Sequence, residues 1–113
     1  MKLSSKDVEG VTVVALEGNV LGGPDATALN DTLHKLVEKR KKKVVVDLSH
    51  VQTMNSSGLS MLIGALTTMR NAGGDLKLAA PSKKIESLLV ITKLSTVFEL
   101  HPTIAKAISS FAK

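Results

Sequence analysis

The fold is decided by the stretch VVVDLSHVQTMNSSGL, residues 44–59. Residues 44–48 are apolar except for Asp47, and such a run between two helical patterns predicts a strand that is buried on both faces of a sheet. A polar loop is predicted over residues 49–56, and helical periodicity begins at Leu59. Loops that follow the carboxyl ends of strands carry function in α/β sheets, so this stretch predicts both a fold and a site.

Strand and helix patterns alternate on both sides of this stretch. Predicted strands cover residues 3–8, 11–16, 44–48, 76–79 and 97–100. Predicted helices cover residues 24–41, the segment from Leu59 to the glycines at 73–74, a segment capped by Ser82, and a last segment opened by His101 and Pro102. The first two strands predict an antiparallel hairpin that turns at Glu9 and Gly10, and the later strands predict parallel neighbours. We therefore expect an α/β fold, a small mixed β-sheet packed against about four helices, as a single domain over residues 1–113.

Composition sets further limits on the function. The chain has 113 residues, 43% of them hydrophobic, which suits one compact domain and excludes wholesale disorder. It contains no cysteine, so disulfides, thiolate metal sites and cysteine nucleophiles are excluded. Residues 4–7 are polar, unlike the apolar stretch of a signal peptide, and no apolar run approaches the roughly 20 residues of a membrane span. We expect a cytoplasmic protein that does not enter a membrane.

Positive charge is concentrated at residues 39–43, within a formal net charge of +5. Nucleic-acid binding is one interpretation of such a run. The favoured interpretation is a solvated helix end, because cations there complement the helix dipole. Phe98 and Phe111 are the only aromatic residues, so the chain lacks the stacking platforms of single-strand binders, and direct nucleic-acid binding is not expected.

Catalytic, metal and cofactor motifs are weak throughout. His34, His50 and His101 lie far apart in sequence, without the spacing of a metal pair, so no metal site is predicted. The residues around Ser60 lack the second glycine of a nucleophile elbow, and no phosphate-cradling glycine loop is present. No cofactor and no enzymatic activity are expected. From the residues alone, helix capping is the favoured role for Asn55 and the two serines that follow it.

The sequence resembles a known family at this point. The segments that carry the resemblance are residues 44–49, 54–59 and 62–65, and it continues through residues 73–78 and Ser82 to Phe98. Together they look like the core motif of STAS domains and, more narrowly, of bacterial anti-sigma-factor antagonists. The resemblance covers nearly the whole chain, and its order of elements agrees with the pattern read from periodicity.

The resemblance implies a binding module that is switched by phosphorylation. The second serine of the motif, Ser57, would be the phosphorylation site, and Asn55, Ser56, Gly58 and Leu59 would form the partner-binding loop. The implied partners are an anti-sigma factor, which is often itself the serine kinase, and a phosphatase. The unphosphorylated protein would sequester the anti-sigma factor and so release a sigma factor.

Some points stay open at the level of sequence. The family motif usually has Asp where this chain has Asn55, which loses a negative charge beside the acceptor serine. An alternative within the family is a STAS scaffold, or a transporter-associated regulatory subunit, that is never phosphorylated. The oligomeric state, monomer or dimer, is open. Gly58 is expected to keep the helix start open for a partner, so that Gly58→Ala would leave stability nearly unchanged.

Overall fold

The computed structural model describes residues 1–112 of the chain. Its strands are β1 (Lys2–Val8), β2 (Val11–Val20), β3 (Lys43–Met54), β4 (Asp75–Ala79) and β5 (Leu100–His101). Its helices are α1 (Pro24–Glu38), α2 (Ser56–Asn71), α3 (Lys83–Ile91) and α4 (Ile104–Ser110), with a short 3-10 turn at Leu94–Thr96. This is the predicted order of elements, and the α/β expectation is confirmed.

The sheet is mixed and runs in the order β1-β2-β3-β4-β5. β1 and β2 pair antiparallel, whereas β3, β4 and β5 each add in parallel. The hairpin turns where it was predicted, with φ values of 52° at Glu9 and 81° at Gly10. Two successive positive φ angles are what a type I′ turn requires, and that turn matches the twist of the strands it joins.

The two faces of the sheet carry different cores. Val44 and Val46 point into the main core, which is shared with buried residues of α1, α2 and α3. Val45 points to the other face and packs with Ala107 and Ile108 of α4. β3 is therefore covered on both sides, as its continuous run of valines predicted.

β3 extends well beyond its predicted end. The loop predicted over residues 49–56 is wrong, because the strand continues to Met54 and pairs in parallel with β2, whose own end is Val20. Two register shifts each place an extra residue in β3 relative to β2. Such bulges break the alternation of side chains, so this half of the strand looks like a loop in the sequence.

α1 ends at Glu38, three residues before its predicted end. Arg40 adopts a left-handed φ of 62°, and its N–H donates to the carbonyl oxygen of Val37 while the N–H of Lys41 donates to that of Leu36. These two hydrogen bonds form a Schellman motif with arginine in place of the usual glycine. The end of α1 therefore could not be predicted from the residue type at this position. The positively charged residues 39–43 therefore form a turn that leads into β3. Within this turn, Lys41 forms an ion pair with Asp7.

The other helix ends follow the sequence more closely. α2 stops where Gly73 takes a φ of 82°, as predicted. Ser82 caps α3, its hydroxyl accepting a hydrogen bond from the Ile85 N–H at 3.3 Å. The predicted edge strand is present, but its predicted bounds of 97–100 are wrong, because β5 comprises only Leu100–His101. The last helix begins after this strand, capped by Thr103, rather than at His101 and Pro102.

A buried lysine fastens the end of α4 to the sheet. Lys77 is only 6% exposed, and its Nζ lies 2.6 Å from Ser110 Oγ and 4.2 Å from the centre of the Phe111 ring. The same Nζ lies 3.1 Å from Glu99 Oε2, and the other carboxylate oxygen of Glu99 lies 2.9 Å from His101 Nε2. Partial burial raises the pKa of Glu99, but the hydrogen bonds from Lys77 and His101 outweigh it, so its pKa lies below the ordinary 4.5.

The Glu99 carboxylate should make the stability sensitive to acid. Because its folded pKa is depressed, its contribution is present above the unfolded value of 4.5 and is lost as pH falls through the folded pKa. Denaturant unfolding from neutral pH to about pH 3 should show a shallower acid loss for Glu99→Gln than for the wild type. Equal acid slopes in the two proteins would contradict this role of Glu99.

Candidate functional site at the start of α2

Asn55 joins β3 to α2 as a single residue. Its side-chain oxygen accepts a hydrogen bond from the Gly58 N–H at 2.8 Å, which is N-capping geometry. Its backbone N–H donates to the carbonyl oxygen of Val20 at 3.4 Å. The amide side chain therefore supplies the cap that an aspartate would supply, and it does so without a charge.

Gly58 lies in close contact with the end of β2. A Cβ added at this position would lie 2.1 Å from the carbonyl oxygen of Val20 and 2.9 Å from Cγ of Met54. The expectation that Gly58 keeps the helix start open for a partner is wrong, because the residue is buried against the sheet. The absent side chain lets the first turn of α2 approach the backbone of β2.

Leu59 is also part of the core rather than of the surface. It is 7% exposed and packs in the main core with Val20 and Met54. Of the five motif residues predicted from the resemblance, Gly58 and Leu59 are thus buried and pack the start of α2 against the sheet. Asn55, Ser56 and Ser57 are exposed and remain available to a partner.

Ser57 lies against the loop that connects β2 to α1. A Cβ built on Gly22 would lie 2.6 Å from Cβ of Ser57, so only glycine leaves room for the serine there. Gly22 and Gly23 have φ values of 80° and 61°, and Gly23 is the N-cap position of α1. The contact of Gly22 with Ser57 depends on the parallel pairing of β2 with β3, so no local pattern in the sequence indicates it.

Ser56 and Ser57 line one end of a groove between α1 and α2. The groove has a volume of about 640 Å³. Its lining within residues 1–112 contains no charged side chain and consists of Gly22, Gly23, Ala26, Thr27, Leu29, Asn30, Ser56, Ser57, Ser60, Met61, Gly64, Ala65 and Thr68. Both helices begin at this end of the sheet, so the positive ends of two helix dipoles lie close to Ser57.

Other polar residues of the sequence lie outside this site. Asp47 falls in the middle of β3 on the same side as Val45, and its carboxylate accepts a hydrogen bond from the Ser49 N–H at 2.9 Å. His50 pairs with the Ser49 hydroxyl, and His101 pairs with Glu99. Within residues 1–112 no group of three or more His, Cys, Asp or Glu side chains could hold a metal ion. The same residues include no helix long and apolar enough to cross a membrane.

Comparison with known proteins identifies the family. The STAS domain model matches residues 2–107, so the chain belongs to the STAS family. A protein of Bordetella bronchiseptica named as the anti-sigma factor antagonist BtrV is 24% identical over 111 residues, covering 98% of this chain and 95% of that protein. Two relatives from Thermotoga neapolitana and Thermotoga maritima, also named as anti-sigma factor antagonists, are each 27% identical, and the matches span 66% and 65% of their lengths.

Solved structures share the fold. A crystal structure of an anti-sigma factor antagonist from Thermotoga maritima superposes with a TM-score of 0.86 at 21% identity, covering 98% of this chain and 95% of that one. The anti-sigma factor antagonist SpoIIAA, solved in an unphosphorylated form and, from Bacillus, in a phosphorylated form, gives a TM-score of 0.72 for each, at 15% and 14% identity. These matches cover 98% and 97% of this chain, and 98% and 99% of SpoIIAA.

Removal of the Asn55 cap should weaken α2 without displacing it. Asn55→Ala loses the hydrogen bond to the Gly58 N–H and should cost about 1 kcal/mol in the free energy of unfolding. Asn55→Asp keeps an oxygen acceptor and adds a charge that the helix dipole favours, so it should be at least as stable as the wild type. Denaturant titration measures both, and wild-type stability of Asn55→Ala would show that the cap contributes nothing.

A methyl group at Gly58 should be strongly destabilising. Gly58→Ala forces the first turn of α2 away from Val20 and should cost about 2–3 kcal/mol. The matched control is Gly64→Ala in the same helix, where a Cβ would meet nothing within 4 Å. That variant should gain up to about 1 kcal/mol in helix propensity. Thermal unfolding distinguishes the two, and near-wild-type stability of Gly58→Ala would contradict the close approach.

Proposed function

We propose that this protein is an anti-sigma-factor antagonist whose binding is switched by phosphorylation of Ser57. Unmodified, it binds and sequesters an anti-sigma factor, which releases a sigma factor. Phosphorylated, it releases the anti-sigma factor. Membership of the STAS family, the names of the relatives and the likeness to SpoIIAA support this proposal.

The observation that carries the proposal is the position of Ser57. Its side chain is exposed, on the first turn of a helix that a cap and a buried glycine hold against the sheet. A kinase can reach the hydroxyl without unfolding the domain. No charged side chain within residues 1–112 lines the surrounding groove, so a phosphate of about −1.5 to −2 charges would change the electrostatics of this surface strongly.

The free domain should tolerate the phosphate, whereas a docked partner should not. The first turn of α2 contains no acidic residue, and an anion at a helix N-terminus is stabilised by roughly 0.3–1 kcal/mol. A partner packed against Ser57 would have to strip water from the phosphate. Where the partner offers no cation, that desolvation costs several kcal/mol, and each 1.4 kcal/mol weakens binding tenfold.

The remaining residues of the motif loop divide into two roles. Asn55 and Ser56, both exposed, contact the partner beside Ser57, while Gly58 and Leu59 hold the turn in place from the core. Asn55 in place of aspartate removes a repulsive charge beside the phosphate, so the phosphorylated form should be comparatively stable.

The partners in this scheme are a serine kinase that is also the anti-sigma factor, and a phosphatase. The domain itself performs no catalysis and acts in the cytoplasm.

The alternative of an unphosphorylated STAS scaffold or transporter-associated subunit predicts a different state in the cell. Intact-mass measurement of the protein from its native cells distinguishes the two. A species about 80 Da heavier indicates the switch, since phosphorylation adds one phosphoryl group. Unmodified protein under every growth condition favours the scaffold.

The modification itself should depend on one of two adjacent serines. With the anti-sigma-factor kinase of the source organism, the wild type and Ser56→Ala should accept one phosphate, whereas Ser57→Ala should accept none, because the family resemblance implies that the second serine of the motif is the acceptor. Ser57→Ala should fold normally and still bind the kinase. Ser57→Asp should weaken binding only in part, because it carries one charge rather than about two.

Peptide mass mapping and titration calorimetry measure these outcomes. Phosphate found on Ser56, or full phosphorylation of Ser57→Ala, would contradict the assignment of the site. Failure of the unmodified protein to bind any anti-sigma factor would contradict the function.

A further inference from the structure

Residues 39–43, here called the basic turn, carry five consecutive cations. The sequence predicts that they complement the dipole of α1, but that effect is confined to the last turn of a helix. α1 ends at Glu38, so among these five residues only Lys39, the C-cap, lies where the dipole is strong. The helix end therefore does not explain a run of cations that continues beyond it.

Ion pairs inside the domain do not explain the basic turn either. Lys41 pairs with Asp7. The other four cations are exposed, and within residues 1–112 no ion pair involves any of them: Lys39, Arg40, Lys42 and Lys43. Neighbouring unpaired charges of one sign repel each other, so the basic turn lowers the stability of the folded domain.

Arg40 adds backbone strain to this repulsion. Its φ of 62° lies in the left-handed region, which a residue with a side chain adopts only at a cost in energy. Glycine adopts this conformation without that cost and is the usual residue at this position of a Schellman motif. Because the arginine side chain is exposed and forms no ion pair within residues 1–112, its presence at a strained position indicates a contact outside the domain.

We propose that the basic turn is a docking surface for a short acidic segment of a partner protein, with Arg40 at its centre. The carboxylates of that segment would supply the counter-charges that the domain lacks, and the guanidinium of Arg40 can bind one of them through two parallel hydrogen bonds. The basic turn leads into β3 and Ser57 follows the other end of this strand of 12 residues. The surface is therefore separate from the proposed phosphorylation site, and a partner at Ser57 would leave it accessible.

The surroundings of the basic turn favour a short acidic segment over a nucleic acid. Carboxylates adjoin it at Glu38, which precedes it in sequence, at Asp7, which pairs with Lys41, and at Asp75, which lies opposite Lys43 in the sheet. A DNA duplex carries one negative charge per about 1.7 Å and would extend past the turn onto these carboxylates, whereas a segment of a few acidic residues need not. The turn also offers neither a helix nor a two-stranded ribbon that could enter a major groove.

A titration of the whole domain with a hexaglutamate peptide, followed by nuclear magnetic resonance at low salt, tests where an acidic segment binds. Hexaglutamine is the uncharged control peptide. Hexaglutamate should shift the backbone signals of residues 39–43 and of their neighbours at residues 70–75, and hexaglutamine should shift none. Shifts spread over the whole surface would contradict a defined docking site.

Substitutions in the basic turn separate binding from folding. Arg40→Gly relieves the strained backbone, so it should raise the melting temperature by a few degrees. The same variant should weaken hexaglutamate binding by about fivefold. The double variant Lys42→Gln with Lys43→Gln should weaken it by about tenfold. The matched control, Lys83→Gln with Lys84→Gln, removes two exposed cations from α3 and should change the affinity by less than about twofold.

Other outcomes overturn the proposed docking surface. A lower melting temperature for Arg40→Gly would show that the arginine serves the fold. Equal losses of affinity in the two lysine double variants would show that binding follows net charge alone. Tighter binding to a DNA duplex or to vesicles of anionic lipid than to hexaglutamate would assign the turn to a nucleic acid or a membrane, and no hexaglutamate binding at all would leave no acidic site. None of these measurements involves the anti-sigma factor, so the proposed function is tested separately.

Discussion

The contact between the first turn of α2 and the end of β2 is the constraint on which the site depends. Gly58 allows the helix to approach until a side chain would overlap the carbonyl oxygen of Val20. That approach brings Ser57 against Gly22, and Asn55 then closes the turn with a hydrogen bond back to Gly58. A larger residue at position 58 would move the serine away from the α1 loop and open the groove, even if the rest of the sheet stayed in place.

Much of this arrangement could be predicted from local patterns. Local sequence predicts strand β3 from its valines, the start of α3 from its capping serine and the end of α2 from its glycine. Each of these features follows from burial or from backbone conformation at one position. The end of α1 could not be predicted, because Arg40 occupies a left-handed position at which glycine is usual. The second half of β3 could not be predicted as a strand either, because its bulges disrupt the alternation of side chains that identifies a strand.

The site was predicted in part. The serines and the cap were found through their position before a helix and through the family resemblance, and the structure places them together on the surface. Gly58 was misinterpreted because its role depends on a contact across the sheet, which no local pattern encodes. The Gly22 loop and the groove were missed for the same reason, since parallel pairing of β2 with β3 brings together residues that are 35 positions apart, Gly22 and Ser57. Local sequence thus predicts Ser57 as the candidate phosphate acceptor, whereas the Gly22 loop and the groove around it follow from tertiary packing.

We propose that Ser57 lies on a turn rigid enough to carry a phosphate without rearrangement, so that the modification acts on the partner alone. The most direct test is to phosphorylate the protein fully and to measure melting temperature and anti-sigma-factor affinity on the same sample. We expect a melting temperature within a few degrees of that of the unmodified protein and an affinity lower by about a hundredfold or more. Unchanged affinity, or a loss of affinity accompanied by unfolding of the domain, would contradict it.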